Sequence, residues 1–125
     1  MAIEWNELIT IADELATAKA HADVSEEAYK RSSVNRAYYG AIHLAENVLL
    51  NEGSPQPDRN RWHAFIISSF MNSDDKYRIG IGNHLDKLRQ YRRKADYEPD
   101  FEKMDWNCTA SLRLAKDLEG WLAAL

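Results

Sequence analysis

Apolar residues recur every three or four positions along most of the chain, which is the spacing of one face of an α-helix. No segment alternates with the period of two that marks a half-buried strand. The pattern predicts an all-α, up-and-down bundle of four to five helices in one domain over residues 1–125. The predicted segments are about 3–21, 25–51, 60–72, a fourth helix that ends before Pro99, and a fifth that Asp100 caps.

The second predicted helix is apolar on two adjacent rows, which indicates a central place in the bundle. The first row contains Ala37, Ala41, Leu44 and Val48, and the second contains Tyr38, Ile42, Ala45 and Leu49. Ser25 supplies an N-cap for this helix, and Gly53 stops it. The linkers between the helices are short, so neighbouring helices are expected to run antiparallel.

The fourth predicted helix places an arginine where its spacing calls for a buried side chain. Its apolar seam is formed by Ile81, Leu85, Leu88, Arg92 and Ala95. Burying a guanidinium costs several kcal/mol unless the charge is paired, and Asp96 lies one helical turn later. Two interpretations follow. The pair could fix the packing of the helix, or the guanidinium could offer its fork of donors to a phosphate in a cleft.

A basic run surrounds this position and consists of Lys87, Arg89, Arg92, Arg93 and Lys94. On a helix these five residues wrap around the axis instead of forming one stripe. The run is therefore either a solvated surface close to a helix C-terminus, where cations are favourable, or a local patch that binds phosphates.

On the second helix, Arg36, Tyr39 and His43 share one polar stripe on an otherwise apolar surface. A ring beside a cation and an imidazole could receive a nucleobase and its phosphate, or Tyr39 could be a core ring with a hydroxyl at the surface. The histidines lack metal-ligand spacing, so no metal site and no cofactor are predicted. Cys108 lies on an apolar seam and is interpreted as a core thiol.

Composition narrows the class of protein. The net charge is −4, so a broad basic face for duplex nucleic acid is not expected, although a local patch stays compatible with this charge. The one cysteine allows no intrachain disulfide, which suits a reducing cytoplasm. The first residues do not resemble a signal peptide, and no apolar stretch reaches the roughly 18 residues of a membrane span. A cytoplasmic protein without membrane contact is expected.

Two segments together resemble a prokaryotic branch of the HEPN family. Residues 31–45 read RSSVNRAYYGAIHLA and resemble the family's RAYYAAFHAA segment, and residues 85–97 read LDKLRQYRRKADY and resemble its L..LY..R..ADY segment. Between them, Trp62 and His63 precede a helix that bears Phe residues, and residues 112–118 are similar to the family's last helix. The resemblance covers most of the chain and implies a HEPN-like bundle that forms a homodimer.

In many members of this family an Arg and, further along the same helix, a His form a metal-independent RNase site at the dimer cleft. There the 2′-hydroxyl attacks the adjacent phosphate. The resemblance thus implies a toxin or defence function, with a small nucleotidyltransferase as antitoxin partner and RNA or a nucleotide as ligand. Other members are non-catalytic nucleotide-binding or assembly modules.

This chain departs from the RNase motif, because four residues follow Arg92 and Tyr97 then stands in place of His. A phenol is only about one part in a thousand ionised at pH 7 and is a poor general base. His43 or His63 could approach in space and replace the missing base. The candidate catalytic residues are Arg92, Asp96 and Tyr97, and the candidate binding residues are Arg36, Tyr39, His43, His63 and Arg93.

Three functions are therefore expected as alternatives. The first is an RNA- or nucleotide-binding HEPN protein whose RNase activity is weak or lost. In it Arg92 binds phosphate, Asp96 orients Arg92, Tyr97 donates a hydrogen bond, and the Arg36, Tyr39 and His43 stripe forms the opposite wall. The second is an active metal-independent endoribonuclease toxin. The third is a non-catalytic module that binds a partner protein, with the Arg92–Asp96 pair as an internal ion pair.

Overall fold

The protein is an all-α helical bundle, as predicted. The structure, a computed structural model, describes residues 4–56, 58–99 and 103–125. These residues form α1 (Asn6–Ala16), α2 (Glu26–Asn51), α3 (Trp62–Met71), α4 (Lys76–Tyr97) and α5 (Met104–Ala123), with a short 3-10 helix, Arg59–Arg61, before α3. The described ranges contain no strand, and none of their helices has the length and apolar character to span a bilayer.

Helix α2 lies at the centre and packs against each of the other four helices. The Ser25 hydroxyl caps its start by accepting a hydrogen bond from the Ala28 amide at 3.1 Å, and the chain turns away after the helix at Gly53, whose φ is 90°. Both predicted apolar rows are buried or packed against the core, which confirms the central position. The core continues into the other helices through Ile9, Ile66, Phe70, Ile81, Leu85, Leu88, Leu118 and Leu122.

Helix α1 is shorter than predicted, because it ends at Ala16 instead of near His21. Beyond it, Lys19, Ala20 and His21 are exposed, so further helical turns would bury little apolar surface. The chain instead forms a tight turn in which the backbones of His21 and Val24 exchange hydrogen bonds of 3.0 and 3.2 Å.

In the α4–α5 connection, the structure confirms the predicted end of α4 but does not describe the predicted start of α5. Helix α4 ends at Tyr97, two residues before Pro99, as the proline predicts. The predicted cap Asp100 lies outside the described residues, and the residue that precedes α5 is Lys103, in the left-handed conformation with φ 54°. Leu125, predicted to extend the α5 seam, follows the end of the helix and is 45% exposed.

Candidate functional site

Arg92 occupies the predicted seam position of α4, and its side chain is 17% exposed. Its Nε lies 3.0 Å from Oδ2 of Asp96, at the expected spacing of one turn, and its Nη2 donates a hydrogen bond of 3.1 Å to the Tyr39 hydroxyl. The Nε–H is not aligned for a hydrogen bond to the carboxylate, so the attraction between the two groups is mainly coulombic. Nη1 makes no hydrogen bond to any residue in the described ranges.

Three tyrosine rings surround the Arg92 guanidinium. Its Cζ lies 5.7, 5.5 and 5.8 Å from the ring centroids of Tyr38, Tyr39 and Tyr97. At these distances the ring faces attract the cation, which offsets part of the cost of burying it. Tyr97 is 71% exposed, so its ring also contacts solvent at the outer end of the site.

The Asp96 carboxylate has a second partner that the sequence interpretation missed. The Asn35 amide of α2 donates to both carboxylate oxygens at 3.2 Å. One turn earlier, Arg31 donates to the carbonyl oxygens of Ala95 at 2.8 Å and Pro99 at 3.0 Å, and thereby satisfies the end of α4. The spacing of Arg31, Asn35 and Tyr39 by four residues is a sequence signal that could have identified this line of contacts.

An open cavity of about 290 Å³ adjoins the Asp96 side of the ion pair. Its lining includes Ser32, Asn35 and Arg36 from α2, and Asp96 from α4. Arg36 is exposed and forms no ion pair within the described residues. The structure therefore places Arg36 beside the carboxylate end of the site, where its guanidinium is available to an anion.

His63 belongs to the same site through Tyr38 and Tyr39. Its Nδ1 is hydrogen-bonded to the Tyr38 hydroxyl, and its ring centroid lies 5.9 Å from that of Tyr39. Burial, together with the smaller effects of the Arg89 and Arg92 charges, lowers the pKa of His63 to about 4. Burial also raises the pKa of Tyr38, so the phenol keeps its proton and can donate it to the neutral imidazole.

His43 faces a different set of partners from those that the polar stripe predicts. Its ring stacks on Trp5 with centroids 3.6 Å apart and lies 4.8 Å from Trp62. Trp62 donates its indole N–H to Glu46, whose Oε1 is 3.9 Å from the His43 ring nitrogen. Burial lowers the pKa of His43 and raises that of Glu46. Of the three stripe residues, only Tyr39 contacts Arg92. His43 lies instead between Trp5, which precedes α1, and Trp62 of α3.

Arg89 is a further cation that the candidate set omitted. It lies one turn before Arg92, and its buried Nε has no hydrogen-bond partner in the part of the chain that the structure describes. It also forms no ion pair there, whereas Arg92 has Asp96. Arg93 is exposed, and its charge acts with those of Arg89 and Arg92 to oppose the rise in the pKa of Tyr38. Positive charge therefore exceeds negative charge on this side of α4.

We call the surface formed by Tyr39, His63, Arg89, Arg92, Asp96 and Tyr97 the arginine site. Within the described residues, no group of three His, Cys, Asp or Glu side chains could hold a metal ion. Comparisons with protein-family models, with curated proteins and with solved structures gave no match, so the family resemblance of the two motifs stays a prediction.

Proposed function

We propose that the arginine site binds the phosphate groups of RNA or of a nucleotide, as a HEPN-type module whose RNase activity is weak or lost. One observation carries this proposal. Arg92 is paired with the carboxylate of Asp96, whereas Arg89, one turn earlier, has no carboxylate partner within the described residues. Because only Arg92 of these two neighbouring guanidinium groups has a carboxylate partner within the described residues, the two together retain a net positive charge. They are partly shielded from water, which strengthens their attraction for an anion.

The chemistry of the surrounding groups suits a nucleotide better than a simple anion. Arg92 keeps donors that make no hydrogen bond to the described residues, and a planar guanidinium matches two phosphate oxygens. Tyr97 is exposed beside it and offers a ring on which an unpaired base could stack. Single-stranded RNA presents both phosphates and unstacked bases, whereas duplex RNA hides its base faces.

Slow or absent cleavage follows from the acid–base groups. Metal-free cleavage requires a base that removes the proton of the 2′-hydroxyl, and a base is most effective when its pKa lies near the working pH. The imidazole of His63 has a pKa of about 4, and its Nδ1 is already bonded to Tyr38. Tyr97 stands where the family's RNase motif has a histidine. Neither group is well suited to start the reaction at pH 7.

Replacement of the two arginines tests this proposal. Binding of a fluorescein-labelled, single-stranded RNA in EDTA is expected to weaken about tenfold or more in Arg92→Gln and in Arg89→Gln, because each change removes a charge-assisted phosphate contact. Each lost contact should also reduce the slope of log Kd against log salt by about 0.7. Arg113→Gln is the matched control, since Arg113 is exposed on α5 and lies outside the arginine site.

Arg89→Gln is the more informative variant. It removes no hydrogen bond of the described structure, so its circular dichroism spectrum and unfolding midpoint should match those of the unsubstituted protein. Equal affinity in Arg89→Gln, Arg92→Gln and Arg113→Gln would reject phosphate binding at this site. It would leave the protein–protein interaction module as the better interpretation, with Arg92 and Asp96 as an internal pair.

A second candidate function, a metal-independent endoribonuclease, is favoured by one observation: His63 lies in the same aromatic cluster as Tyr39, which contacts Arg92. If His63 is the base, cleavage in EDTA should rise between about pH 3 and 5 and stay level above that range, because its pKa is about 4. His63→Gln should then abolish cleavage. A rate that continues to rise through pH 7 would exclude His63 as the base.

The assembly state belongs to the same proposal. A homodimer, a small nucleotidyltransferase partner, a toxin–antitoxin or defence role and a cytoplasmic location are the expectations that the HEPN resemblance adds. Light scattering of the purified protein should give twice the mass of one chain, and expression of the unsubstituted chain alone should slow growth more than expression of Arg92→Gln. A monomer that does not affect growth would contradict both.

A further inference from the structure

A second basic surface lies on the opposite side of α4 from the arginine site. An open groove of about 410 Å³ runs between α4 and α5, and its lining includes Lys87, Gln90, Tyr91, Lys94, Lys103 and Trp106. With about 100° of rotation per residue, Lys87, Tyr91 and Lys94 share one face of α4, and Arg89, Arg92 and Asp96 share the other. The basic run of the sequence is thus divided between two separate surfaces. We call this second surface the lysine groove.

The three lysines of the groove are not neutralised by the described carboxylates around them. None of them forms an ion pair with a residue in the described ranges. Asp105, in the first turn of α5, is instead paired with Lys30 of α2. Asp86 accepts a hydrogen bond of 3.1 Å from Gln90 and does not pair with a lysine. Among the described residues that line the groove, positive charge therefore exceeds negative charge, although the net charge of the chain is −4.

An exposed tryptophan distinguishes this groove from an ordinary solvated row of lysines. Trp106 is 61% exposed, which is unusual for so large an apolar side chain. Its ring meets Tyr91 edge to face, with centroids 6.3 Å apart and planes 74° apart. Because Tyr91 is buried, it supports the indole from the protein side and leaves most of the Trp106 surface open to solvent.

We propose that the lysine groove binds single-stranded RNA, with one base stacked on Trp106 and the backbone phosphates held by Lys87, Lys94 and Lys103. An aromatic platform beside flexible cations is how proteins bind single strands without reading their sequence. This inference does not rest on the arginine site, which uses other residues on the other side of α4. It adds a second point of contact, so that one strand could engage both faces of the helix.

The backbone of Lys103 supports a role for this residue beyond stability. Its φ of 54° lies in the left-handed region, which is unfavourable for a lysine and is readily adopted by glycine. Lys103→Gly should therefore leave the unfolding midpoint unchanged or raise it. Binding of RNA should nevertheless weaken, because a phosphate partner is lost. Weaker RNA binding without a lower unfolding midpoint would show that the lysine side chain serves binding, and unchanged binding would contradict this role.

A triple variant tests the charge of the groove. Lys87→Gln, Lys94→Gln and Lys103→Gln together should reduce the slope of log Kd against log salt by about 2 for a labelled single-stranded RNA, since each contact contributes about 0.7. The matched control changes Lys19, Lys76 and Lys116 to Gln; these are exposed and lie outside the groove lining. The control has the same net charge as the groove variant. It therefore separates the loss of phosphate contacts in the groove from the effect of a lower total charge on RNA binding.

The stacking contact is tested by Trp106→Ala. Loss of one stacked base should weaken binding of the RNA about 5- to 100-fold, whereas Trp106→Phe should retain most of the affinity. Quenching of tryptophan fluorescence by RNA should decrease in both variants, because the exposed indole is gone. ATP in place of RNA tests whether a single nucleotide suffices. Tight ATP binding that depends on Trp106 would assign the groove to mononucleotides and overturn the single-strand proposal.

The proposals for the arginine site and for the lysine groove can be rejected independently of each other. Loss of RNA binding in the arginine-site variants alone, with the lysine and Trp106 variants unaffected, would overturn the lysine groove and retain the proposed function. The reverse result would retain the groove and reject phosphate binding by Arg92. Competition by poly-glutamate is measured in the unsubstituted protein and in Trp106→Ala. If poly-glutamate displaces RNA equally well from both, the ligand is an acidic polypeptide and the proposal is overturned.

Discussion

Acidification from pH 7 to pH 5 is expected to lower the free energy of unfolding by up to about 2 kcal/mol through His63 alone. The pKa of this imidazole is about 4 in the folded protein and about 6.5 in the unfolded chain. The unfolded state therefore takes up the proton first as the pH falls. The stabilisation is fully present above pH 6.5 and is lost between 6.5 and 4; solvent at the partly exposed ring reduces its size.

Urea unfolding at several pH values between 7 and 5 measures this effect. In His63→Gln most of the pH dependence in this interval should disappear, while the amide can still hydrogen-bond to Tyr38. Some dependence should remain, because burial also lowers the pKa of His43. The control is His84→Gln, since His84 is bonded to the Gly80 carbonyl, outside the aromatic cluster. A pH dependence in His63→Gln as steep as in the control would show that His63 is not the buried neutral base.

Gly82→Ala should destabilise the protein by about 1–3 kcal/mol, because α3 and α4 are in contact at this glycine. An added Cβ would lie 2.5 Å from Cγ of Met71 and 2.7 Å from its backbone nitrogen. The Met71 side chain can rotate away, but its backbone nitrogen can move only if the end of α3 moves. The substitution must therefore push the end of α3 away from α4.

Gly80→Ala is the internal control, two residues earlier on the same helix. No atom lies within 4 Å of an added Cβ there, so the usual advantage of alanine in a helix, up to about 1 kcal/mol, should be gained. Thermal unfolding of the two variants should therefore shift in opposite directions. Two shifts of the same sign would contradict the close approach of α3 to α4 at Gly82.

The boundaries of α2 and the seam of α4 could be predicted because both depend on neighbours along the chain. The Ser25 hydroxyl accepts a hydrogen bond from the amide three residues later, and Gly53 adopts a positive φ that other residues avoid. Each of these helix-end signals therefore depends only on residues that are close in sequence. The Arg92–Asp96 pair is of the same kind, because residues four apart on a helix are always neighbours. Nothing about the rest of the fold is needed to predict them.

The length of α1 could not be predicted in this way. The spacing of apolar residues predicted that the helix continues through residues 17–21, and none of these residues is a glycine or proline that would stop it. Whether a helix continues depends on whether the next turn finds apolar surface to cover, and here Lys19, Ala20 and His21 face solvent. That condition depends on which surfaces the folded chain places beside this segment, and short-range spacing does not specify them.

The sequence by itself determined the helical class, the central position of α2 and an arginine in a seam of α4, since periodicity and short-range spacing specify them. Only the tertiary structure decided which groups meet that arginine. Asn35 and Tyr39 reach the site from α2, and His63 reaches it from α3, because packing brings remote helices together. Helical spacing places the basic run on two faces of α4, but only packing decided that Trp106 of α5 adjoins one face and Tyr39 of α2 the other.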